Sequence, residues 1–395
     1  MRAIKSRVGF LCNSYITKDY PLVKKRMYGK VLQKLLSLYP KGLKGHPLKR
    51  VKKLAGLICG MIRKKRSSMS AVGSGLPQRI AAYSKEKACK DFLDNDWNNY
   101  ETHYLPYIQH CLPLFIAHMN QSSPIYIAID GSQMGNHHIA LMISMVYRNR
   151  SIPLFWTVKK GGKGHFTNEM HLALLEQFYD QLGSLLPQNR QVILLGDGEF
   201  DSIELQGFCR QAGWEYVFRT ALNTVMYEEN ERFQPKTLAL QQGADHLFIP
   251  NVEFTHQRYK NVNFLYWHDP KYEKPIPLVT SLNEAIEIME AYEKRYAIEC
   301  LFKDLKSTSF HLHKTRLQSQ LAISNLIMVA AFAFTLLIKL AIKYDNKQWR
   351  RLIHRDRPDR TVCSIFFFAL QLIEYLLEED LDFNFHFSKQ IHNFP

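Results

Sequence analysis

The chain of 395 residues has few cysteines and no low-complexity tract. Its seven cysteines are widely scattered and form no CxxC pair, which excludes a zinc ribbon and the disulfide framework of a secreted protein. Charged residues make up only 22% of the chain and aromatic residues 12%, so a largely disordered or fibrous protein is also excluded. The length leaves room for roughly two or three domains with their own cores.

Acidic residues are almost missing from residues 1–90, where only Asp19 and Glu86 stand against 23 lysines and arginines. This stretch has a net charge of +21, whereas the whole chain has +16. Such a concentration of positive charge predicts a polyanionic partner, either nucleic acid or an anionic membrane surface. A solvated basic face without a partner is the alternative.

Long apolar runs are rare as well. The basic start of the chain is not followed by a sustained apolar segment, so we expect no secretory signal and a cytoplasmic location. Residues 321–338 contain no charge and approach the length of a membrane-spanning helix. This run includes Ser324, Asn325 and Thr335 and is not accompanied by a second one, so we expect a helix buried within a large domain and no membrane partner.

The apolar spacing of residues 1–120 is that of helices, with a break predicted at Gly73, Gly75 and Pro77. Beyond residue 124 the pattern changes to strands.

Three β-rich runs come first, at residues 125–130, 138–148 and 151–160. Asn149 and Arg150 join the last two as an antiparallel hairpin. A helix capped by Thr167, a buried strand ending at Asp197, another helix and a last strand follow. This order of elements is that of a ribonuclease H-like α/β domain.

Residues 221–281 interrupt the order of strands and helices. Apolar and aromatic residues alternate there with polar residues and turn formers, which predicts a small β-rich insertion. After it, Ser281 and Glu284 have the spacing of a capping box and predict the start of a long helix that ends near Ser307.

Two aspartates stand at strand ends, Asp130 and Asp197. In the predicted fold their strands are parallel neighbours, so both carboxylates emerge at the same edge of the sheet, where open α/β sheets place their sites. An aspartate at a strand end is by itself more often a turn former or a cap.

The predicted long helix carries a narrow polar stripe at spacings of three, four and seven residues, formed by Tyr292, Arg295, Glu299 and Lys306. Apolar residues such as Leu301 fall on the opposite side. The alternative is a surface helix whose mixed-charge face is stabilised by pairs such as Arg295 with Glu299.

Three carboxylates at one edge repel each other unless cations lie between them. Oxygen ligands select hard ions such as Mg²⁺ or Mn²⁺ over zinc. Two such ions about 3.5–4 Å apart can activate a water or hydroxyl and stabilise the leaving oxygen of a phosphodiester. Arg295 and Lys306 would suit the phosphate.

These residues resemble the signature of bacterial insertion-sequence DDE transposases of the insertion-sequence-four group: Tyr, two residues, Arg, three residues, Glu, six residues, Lys. The sequence reads Tyr292-EK-Arg295-YAI-Glu299-CLFKDL-Lys306, a complete match. The stretches YIAIDGS around Asp130 and LLGDGEFDS around Asp197 also resemble that group.

The resemblance implies a metal-binding catalytic triad of Asp130, Asp197 and Glu299. It implies contacts with DNA from Tyr292, Arg295 and Lys306. It further implies a ribonuclease H-like core with a β-rich insertion, two Mg²⁺ or Mn²⁺ ions, and a homodimer that holds two transposon ends and the target DNA. One departure is Gly198, because a basic residue commonly follows the second aspartate in the group.

On this resemblance we predict a transposase that binds the terminal inverted repeats of its insertion sequence and catalyses cut-and-paste transposition. It would act in the bacterial cytoplasm, on the nucleoid when bound to DNA. The predicted domains are a basic helical DNA-binding region at 1–120, a ribonuclease H-like catalytic domain at 121–345 with the insertion at 221–281, and a C-terminal helical region at 346–395.

Two alternatives stay open. One is a DNA-binding protein derived from a transposase that no longer catalyses, and the other is a related nuclease that cuts DNA but never joins strands. Trp267 and Tyr296 are candidates for stacking on a base displaced from the DNA end, although packing in the core or on the sheet is an equal alternative.

Overall fold

The computed structural model describes residues 26–39, 41–76, 80–162, 166–269, 273–353 and 363–386. They form two compact units: a helical unit drawn from 1–110 and 304–395, and a sheet unit of residues 111–303. The start of the chain, for which we expect no secretory signal, and Pro77 lie outside the described residues. The predicted division into three functional domains stays a prediction.

Most of the described residues outside the sheet are helical. The helices are α1 (26–36), α2 (Gly45–Lys64), α3 (Met69–Gly73), α4 (Ala82–Leu93), α5 (Leu105–Ala117), α6 (Asn168–Leu182), α7 (Ile203–Ala212), α8 (Ala285–Lys294), α9 (Tyr296–Lys303), α10 (Gln320–Tyr344), α11 (Lys347–Ile353) and α12 (Ile365–Glu378). Helix α3 ends at Gly73, one of the predicted break positions.

The core of the helical unit is built around α10, which packs against α2, α4 and α12. Ser319 caps this helix by accepting a hydrogen bond from the Ala322 N–H at 3.3 Å. Helix α10 is long and apolar enough to cross a membrane, but 89% of its most apolar stretch is buried inside the protein. Its Asn325 side-chain amide donates to the Leu93 carbonyl at 2.8 Å, which gives the buried amide N–H a partner within that core. Although α10 is long enough to cross a membrane, its burial is that of a helix in a protein core.

Two glycines allow close backbone contact between α2 and the turn that follows α3. A Cβ atom on Gly75 would lie 1.8 Å from the Gly56 carbonyl oxygen, and one on Gly60 would lie 2.0 Å from the Val72 carbonyl oxygen. Neither position has room for a side chain, so the tight packing of α2 and α3 requires glycine at both.

The sheet unit contains one sheet of ten strands in the order β3-β2-β1-β4-β5-β10-β9-β8-β6-β7. The strands are β1 (Ile125–Met134), β2 (His138–Tyr147), β3 (Arg150–Lys160), β4 (Val192–Gly196), β5 (Glu215–Arg219), β6 (Met226–Glu228), β7 (Glu231–Phe233), β8 (His246–Phe254), β9 (Tyr259–Trp267) and β10 (Ile276–Thr280).

Strands β1 to β5 have the predicted arrangement. β1, β2 and β3 form an antiparallel trio, and β1 continues into β4 and β5 by parallel pairing. The register pairs Ala128 with Leu195, which brings the end of β4 beside the middle of β1. This mixed α/β sheet is consistent with a ribonuclease H-like nuclease fold.

The predicted insertion is β-rich, but it is not a separate small module. Strand β10 pairs with β5, and β9, β8, β6 and β7 extend the same sheet outward. The alternating apolar pattern predicted the strands, whereas the pairing of β10 with β5 joins segments that are distant in sequence and leave no local signal.

The predicted long helix from Ser281 to Ser307 is wrong in two respects. Its start is not a capping box, because the Ser281 hydroxyl accepts from the Tyr216 N–H at 3.1 Å instead, and α8 begins at Ala285. The helix is also interrupted at Arg295, between α8 and α9, and α9 is followed by a π-helical turn at Asp304–Thr308.

We predict that Gly75→Ala lowers the free energy of unfolding by about 1–3 kcal/mol, because the added methyl group would overlap the backbone of α2. Gly29→Ala is the matched control. Gly29 lies in α1 with no atom within 4 Å of an added Cβ, so this change should stabilise the protein by about 0.5–1 kcal/mol. Urea denaturation of the two variants and the wild type measures both effects, and equal stabilities would contradict the close contact.

Candidate active site

Asp130 and Asp197 lie on neighbouring strands, but only Asp197 stands at a strand end. The prediction that the first strand ends at Asp130 is wrong, because pairing with β2 continues β1 to Met134. Asp130 belongs to β1 and is 6% exposed, and its Oδ1 accepts a hydrogen bond from the Gly131 N–H at 2.7 Å. Asp197 directly follows β4, and its Oδ1 accepts from the Glu199 N–H at 3.0 Å. Because β1 and β4 are parallel neighbours, both carboxylates emerge at the same edge, as predicted.

Arg295 lies among these aspartates and Glu299. One guanidinium nitrogen, Nη1, is 3.7 Å from Asp130 Oδ2, and the other, Nη2, donates to Glu299 Oε1. Burial disfavours the charged guanidinium, but the neighbouring phenol and the three nearby carboxylates outweigh burial and raise its pKa. The Arg295 side chain is only 14% exposed, so its charge acts on the carboxylates with little screening.

The interruption of the helix between α8 and α9 positions the Arg295 side chain. The Arg295 N–H donates to the Tyr292 carbonyl at 3.0 Å, and the Ile298 N–H donates to the Arg295 carbonyl at 3.1 Å. Both bonds span three residues and are tighter than those of an α-helix. α9 then packs against β1, β2 and β3, which holds Glu299 above the strand that carries Asp130.

Tyr292 lies beside the same guanidinium. Its ring centre is 5.7 Å from Arg295 Cζ, a cation–π distance. Burial raises the pKa of its phenol, so Tyr292 stays neutral around pH 7.

Lys306, the last residue of the predicted stripe, belongs to the helical unit. It lies in the π-helical turn, where its backbone carbonyl accepts from His313 Nδ1 at 2.7 Å. Its predicted place beside Tyr292, Arg295 and Glu299 stays a prediction.

A cleft of about 720 Å³ opens beside Arg295 and Glu299. Three further arginines line it, Arg148, Arg150 and Arg219. Trp267 and Tyr296 also line the cleft, with Trp267 8% and Tyr296 57% exposed. Three acidic residues, Asp269, Glu293 and Glu299, line the cleft against five basic ones, since Lys294 and Arg295 line it too. This surface suits a nucleic-acid strand, because the arginines attract phosphate and the rings can stack on bases.

Sequence reasoning missed the three cleft arginines and Asp201. Arg148 and Arg150 flank the turn between β2 and β3, and only the fold brings that turn to the cleft. Asp201 lies four residues after Asp197 and accepts from the Thr220 hydroxyl at 2.6 Å. Burial, helped by the charge of Asp197, raises the pKa of Asp201. The acid-rich stretch GDGEFD was the available signal for this residue.

The donor chemistry of the site fits a hard divalent cation. Asp130, Asp197 and Glu299 offer only oxygen, which favours Mg²⁺ or Mn²⁺ over zinc, and together they bring negative charge to one place. Within the described ranges, however, no three His, Cys, Asp or Glu side chains lie close enough together to hold a metal ion. The three carboxylates therefore lie around the Arg295 guanidinium, but they are too far apart to bind a metal ion together.

Comparison with known proteins gives one family. The model of the transposase DDE domain matches residues 126–336. A search of curated proteins found no match.

Three solved structures show limited likeness. The DNA-bound endonuclease V of Ciona intestinalis is 14% identical and covers 47% of this chain and 87% of its own, with a TM-score of 0.30. Human ENDOV is 13% identical over 52% of this chain and 99% of its own, with a TM-score of 0.26. The Argonaute of Marinitoga piezophila is 17% identical over 53% of this chain and 29% of its own, with a TM-score of 0.21. These scores are too low to carry an argument.

We predict that Arg295→Met destabilises the metal-free protein by about 1–3 kcal/mol, because it leaves three carboxylates around an uncharged side chain. The loss should be smaller than for a fully buried pair, since Glu299 is 42% exposed. Adding Mn²⁺ should restore part of this stability by supplying positive charge.

Denaturation in EDTA and in Mn²⁺ measures the effect, with Lys294→Met as the control on the same helix. A loss of stability no larger than that of the control would contradict the central place of Arg295.

Proposed function

The chain belongs to the transposase DDE domain family, and from this premise we propose that it binds the terminal inverted repeats of an insertion sequence and moves that element by cut-and-paste transposition. Membership makes the chain an enzyme, a nuclease and strand transferase that transposes DNA by cleavage and strand transfer. We further propose that it belongs to the insertion-sequence-four group, whose signature its Tyr292, Arg295, Glu299 and Lys306 match.

One observation carries the proposal. The carboxylates of Asp130, Asp197 and Glu299 lie around the Arg295 guanidinium, beside a cleft lined by arginines. We assign Asp130, Asp197 and Glu299 as the catalytic, metal-binding residues. Glu299 lines the cleft together with the arginines, and Arg295, which also lines it, lies 3.7 Å from Asp130. This supports the assignment, because a phosphodiester held by the arginines would lie beside Glu299 and near the other carboxylate partners of Arg295.

DDE transposases generally use divalent metal ions. We propose that Asp130, Asp197 and Glu299 would hold two Mg²⁺ or Mn²⁺ ions. The ions, when bound, supply Lewis-acid activation of the attacking oxygen and stabilise the leaving oxygen.

The remaining side chains bind and orient the DNA. In this proposal Arg295 exchanges its carboxylate partners for a phosphate of the transposon end, because both are oxyanions that a guanidinium binds through two nitrogens. Tyr292 restricts the orientation of that guanidinium through its ring, and its neutral hydroxyl can donate to a phosphate oxygen. Lys306 is assigned a phosphate contact by the signature.

Partners and location complete the proposal. The DNA partners are the transposon ends and the target, and two ends require a homodimer. We propose action in the bacterial cytoplasm, on the nucleoid when bound to DNA, without a membrane partner. The 89% burial of the most apolar stretch of α10 supports the last point.

We predict that Glu299→Gln lowers the rates of DNA cleavage and strand joining by on the order of 10²-fold or more, because one charged ligand is lost while shape is kept. Affinity for end DNA should change little, since phosphates are held by other residues. Cleavage assays with Mg²⁺ and binding titrations measure both quantities.

Glu290→Gln is the matched control, an exposed glutamate on α8. Pre-cut DNA ends separate the remaining alternatives. Wild-type protein that joins such ends to target DNA is a transposase, whereas one that only cuts is a nuclease. Cleavage by Glu299→Gln at the wild-type rate would contradict the triad.

The basic residues at the end of α2 generate a second prediction. Lys64 and Arg66 are exposed and line an open groove of about 480 Å³ together with Ser68 and Ser70. We expect the double change Lys64→Gln and Arg66→Gln to flatten the dependence of log K on log salt by roughly 1.8 on duplex DNA, since each contact contributes roughly 0.9.

The control removes two exposed charges outside residues 1–90, with Lys347→Gln and Arg351→Gln on α11. Titrations of end-containing duplex at several salt concentrations compare the two double variants. Equal slopes for both would mean that the groove does not contact DNA. Deleting residues 1–90 is a poorer test, because α2 and α4 pack on α10 within one unit.

A further inference from the structure

The loop between β4 and α7 carries Asp197 at its start and Asp201 near its end. We call residues 197–201 the aspartate loop. Its backbone folds onto Asp197, because the Phe200 N–H donates to the Asp197 carbonyl at 3.1 Å and the Glu199 N–H donates to Asp197 Oδ1 at 3.0 Å. Since the amides of the aspartate loop hold this carboxylate, a movement of the loop also moves the carboxylate.

The sheet does not hold the aspartate loop by its own ladder. The parallel pairing of β4 with β5 has its last pair at Gly196 and Phe218, one residue before Asp197. The ladder therefore fixes β4 but ends short of the loop. Other contacts have to set the position of the loop relative to the sheet.

Two side chains tie Asp201 to β5. The hydroxyl of Thr220, directly after β5, donates to Asp201 Oδ2 at 2.6 Å. The side-chain amide of Gln206 on α7 donates to the Asp201 carbonyl at 2.8 Å, and its oxygen accepts from the hydroxyl of Tyr216 on β5 at 2.8 Å. Thr220 is 2% and Gln206 0% exposed, so water competes little for these bonds.

The bond from Thr220 to Asp201 is well supported on the side of Thr220. Its length of 2.6 Å is that of a hydroxyl that donates to a carboxylate. A hydroxyl has one proton to donate, so the Thr224 hydroxyl, 2.9 Å from that of Thr220, donates to it in turn. The Thr220 N–H donates to the Pro277 carbonyl at 3.0 Å, which fixes its backbone beside β10.

This bond lies close to the candidate active site. Thr220 directly follows Arg219, one of the arginines that line the cleft. An added Cβ on Gly198 would lie 3.9 Å from the Arg219 carbonyl oxygen, so the aspartate loop and the end of β5 are neighbours. Burial raises the pKa of the Tyr292 phenol, and the charges of Arg219 and Asp197 also act on that phenol.

We propose that Asp201, through its bond with Thr220, is a positioning residue that holds the Asp197 carboxylate in place relative to Arg219. The inference rests on the proposed function in one respect, the assignment of Asp197 as a metal-binding residue. Asp201 acts on that residue through the aspartate loop. Losing the bond lets the loop move and weakens the hold of Asp197 on a metal ion, because the partners behind a ligand set its orientation.

Hydrogen exchange of the full-length protein measures the position of the aspartate loop without DNA or metal. Thr220→Val removes the hydroxyl at nearly constant size, so we expect the amides of Glu199 and Phe200 to exchange on the order of tenfold faster. Thr220→Ser keeps a hydroxyl and should exchange like the wild type. Unchanged exchange of α6 shows that the sheet unit stays folded.

Asp201→Ala removes the same bond from the other side and provides a second test. Its effect on the exchange of the aspartate loop should equal that of Thr220→Val, and the double variant should exchange no faster than either single one. Independent, additive effects of the two changes would mean that the bond between Asp201 and Thr220 does not hold the loop.

The Mg²⁺ dependence of DNA cleavage tests what this positioning does for the reaction. Thr220→Val should need roughly tenfold more Mg²⁺ for half-maximal cleavage and should approach the wild-type rate at saturating Mg²⁺. A merely less folded variant would be slower at every Mg²⁺ concentration, without a shift in the half-saturating one. Thr224→Val is the matched control and should shift it less, because its hydroxyl lies one hydrogen bond further from Asp201.

The outcomes separate this inference from the proposed function. Wild-type exchange of the aspartate loop in Thr220→Val and Asp201→Ala would overturn the inference, and so would faster exchange combined with a wild-type Mg²⁺ requirement. A wild-type protein that cleaves no DNA at any Mg²⁺ concentration would contradict the proposed function instead. Hydrogen exchange would then still decide whether Asp201 holds the loop.

Discussion

The parallel pairing of β1 with β4 is the constraint on which the sheet unit depends. Its register sets Asp130 beside Asp197 at one edge, so two like charges are forced together by backbone hydrogen bonds that involve neither side chain. A pair of carboxylates held in this way needs positive charge nearby. Arg295 provides it, and this requirement accounts for the placement of a largely buried guanidinium among acids.

The break in the helix at Arg295 follows from the same requirement. Its two hydrogen bonds over three residues shift α9 relative to α8 and let α9 pack on β1, β2 and β3. Glu299 and Arg295 can then face the sheet edge from a single turn, with their charges directly joined. Tyr292, Arg295 and Glu299 stay together across the break, as the predicted stripe requires, and Arg295 also lies 3.7 Å from Asp130.

The sequence predicted the parts of this structure that local patterns encode. Strands β1 to β5 and the position of Asp197 after β4 follow from periodicity and spacing. The pairing of Arg295 with Glu299 was predicted too, but under the alternative of a surface helix with a mixed-charge face. The start of α8 was mispredicted because the Ser281 hydroxyl contacts Tyr216, which is distant in sequence. The single ten-stranded sheet and the cleft arginines were missed for the same reason, since pairing between remote segments decides both. The roles of the carboxylates, and the place of Lys306, remain predictions.

The charge composition of a sequence indicates a charged partner only where the charged side chains are exposed. Residues 1–90 have a net charge of +21, and exposed residues among them such as Lys64 and Arg66 can attract a polyanion over a long range. Lys339 and Lys343 lie outside that stretch, in the described helix that is long and apolar enough to cross a membrane, and the charge of residues 1–90 gives no sign of them. Yet burial makes each of these charges act more strongly on its neighbours than an exposed lysine does, because the local dielectric is lower.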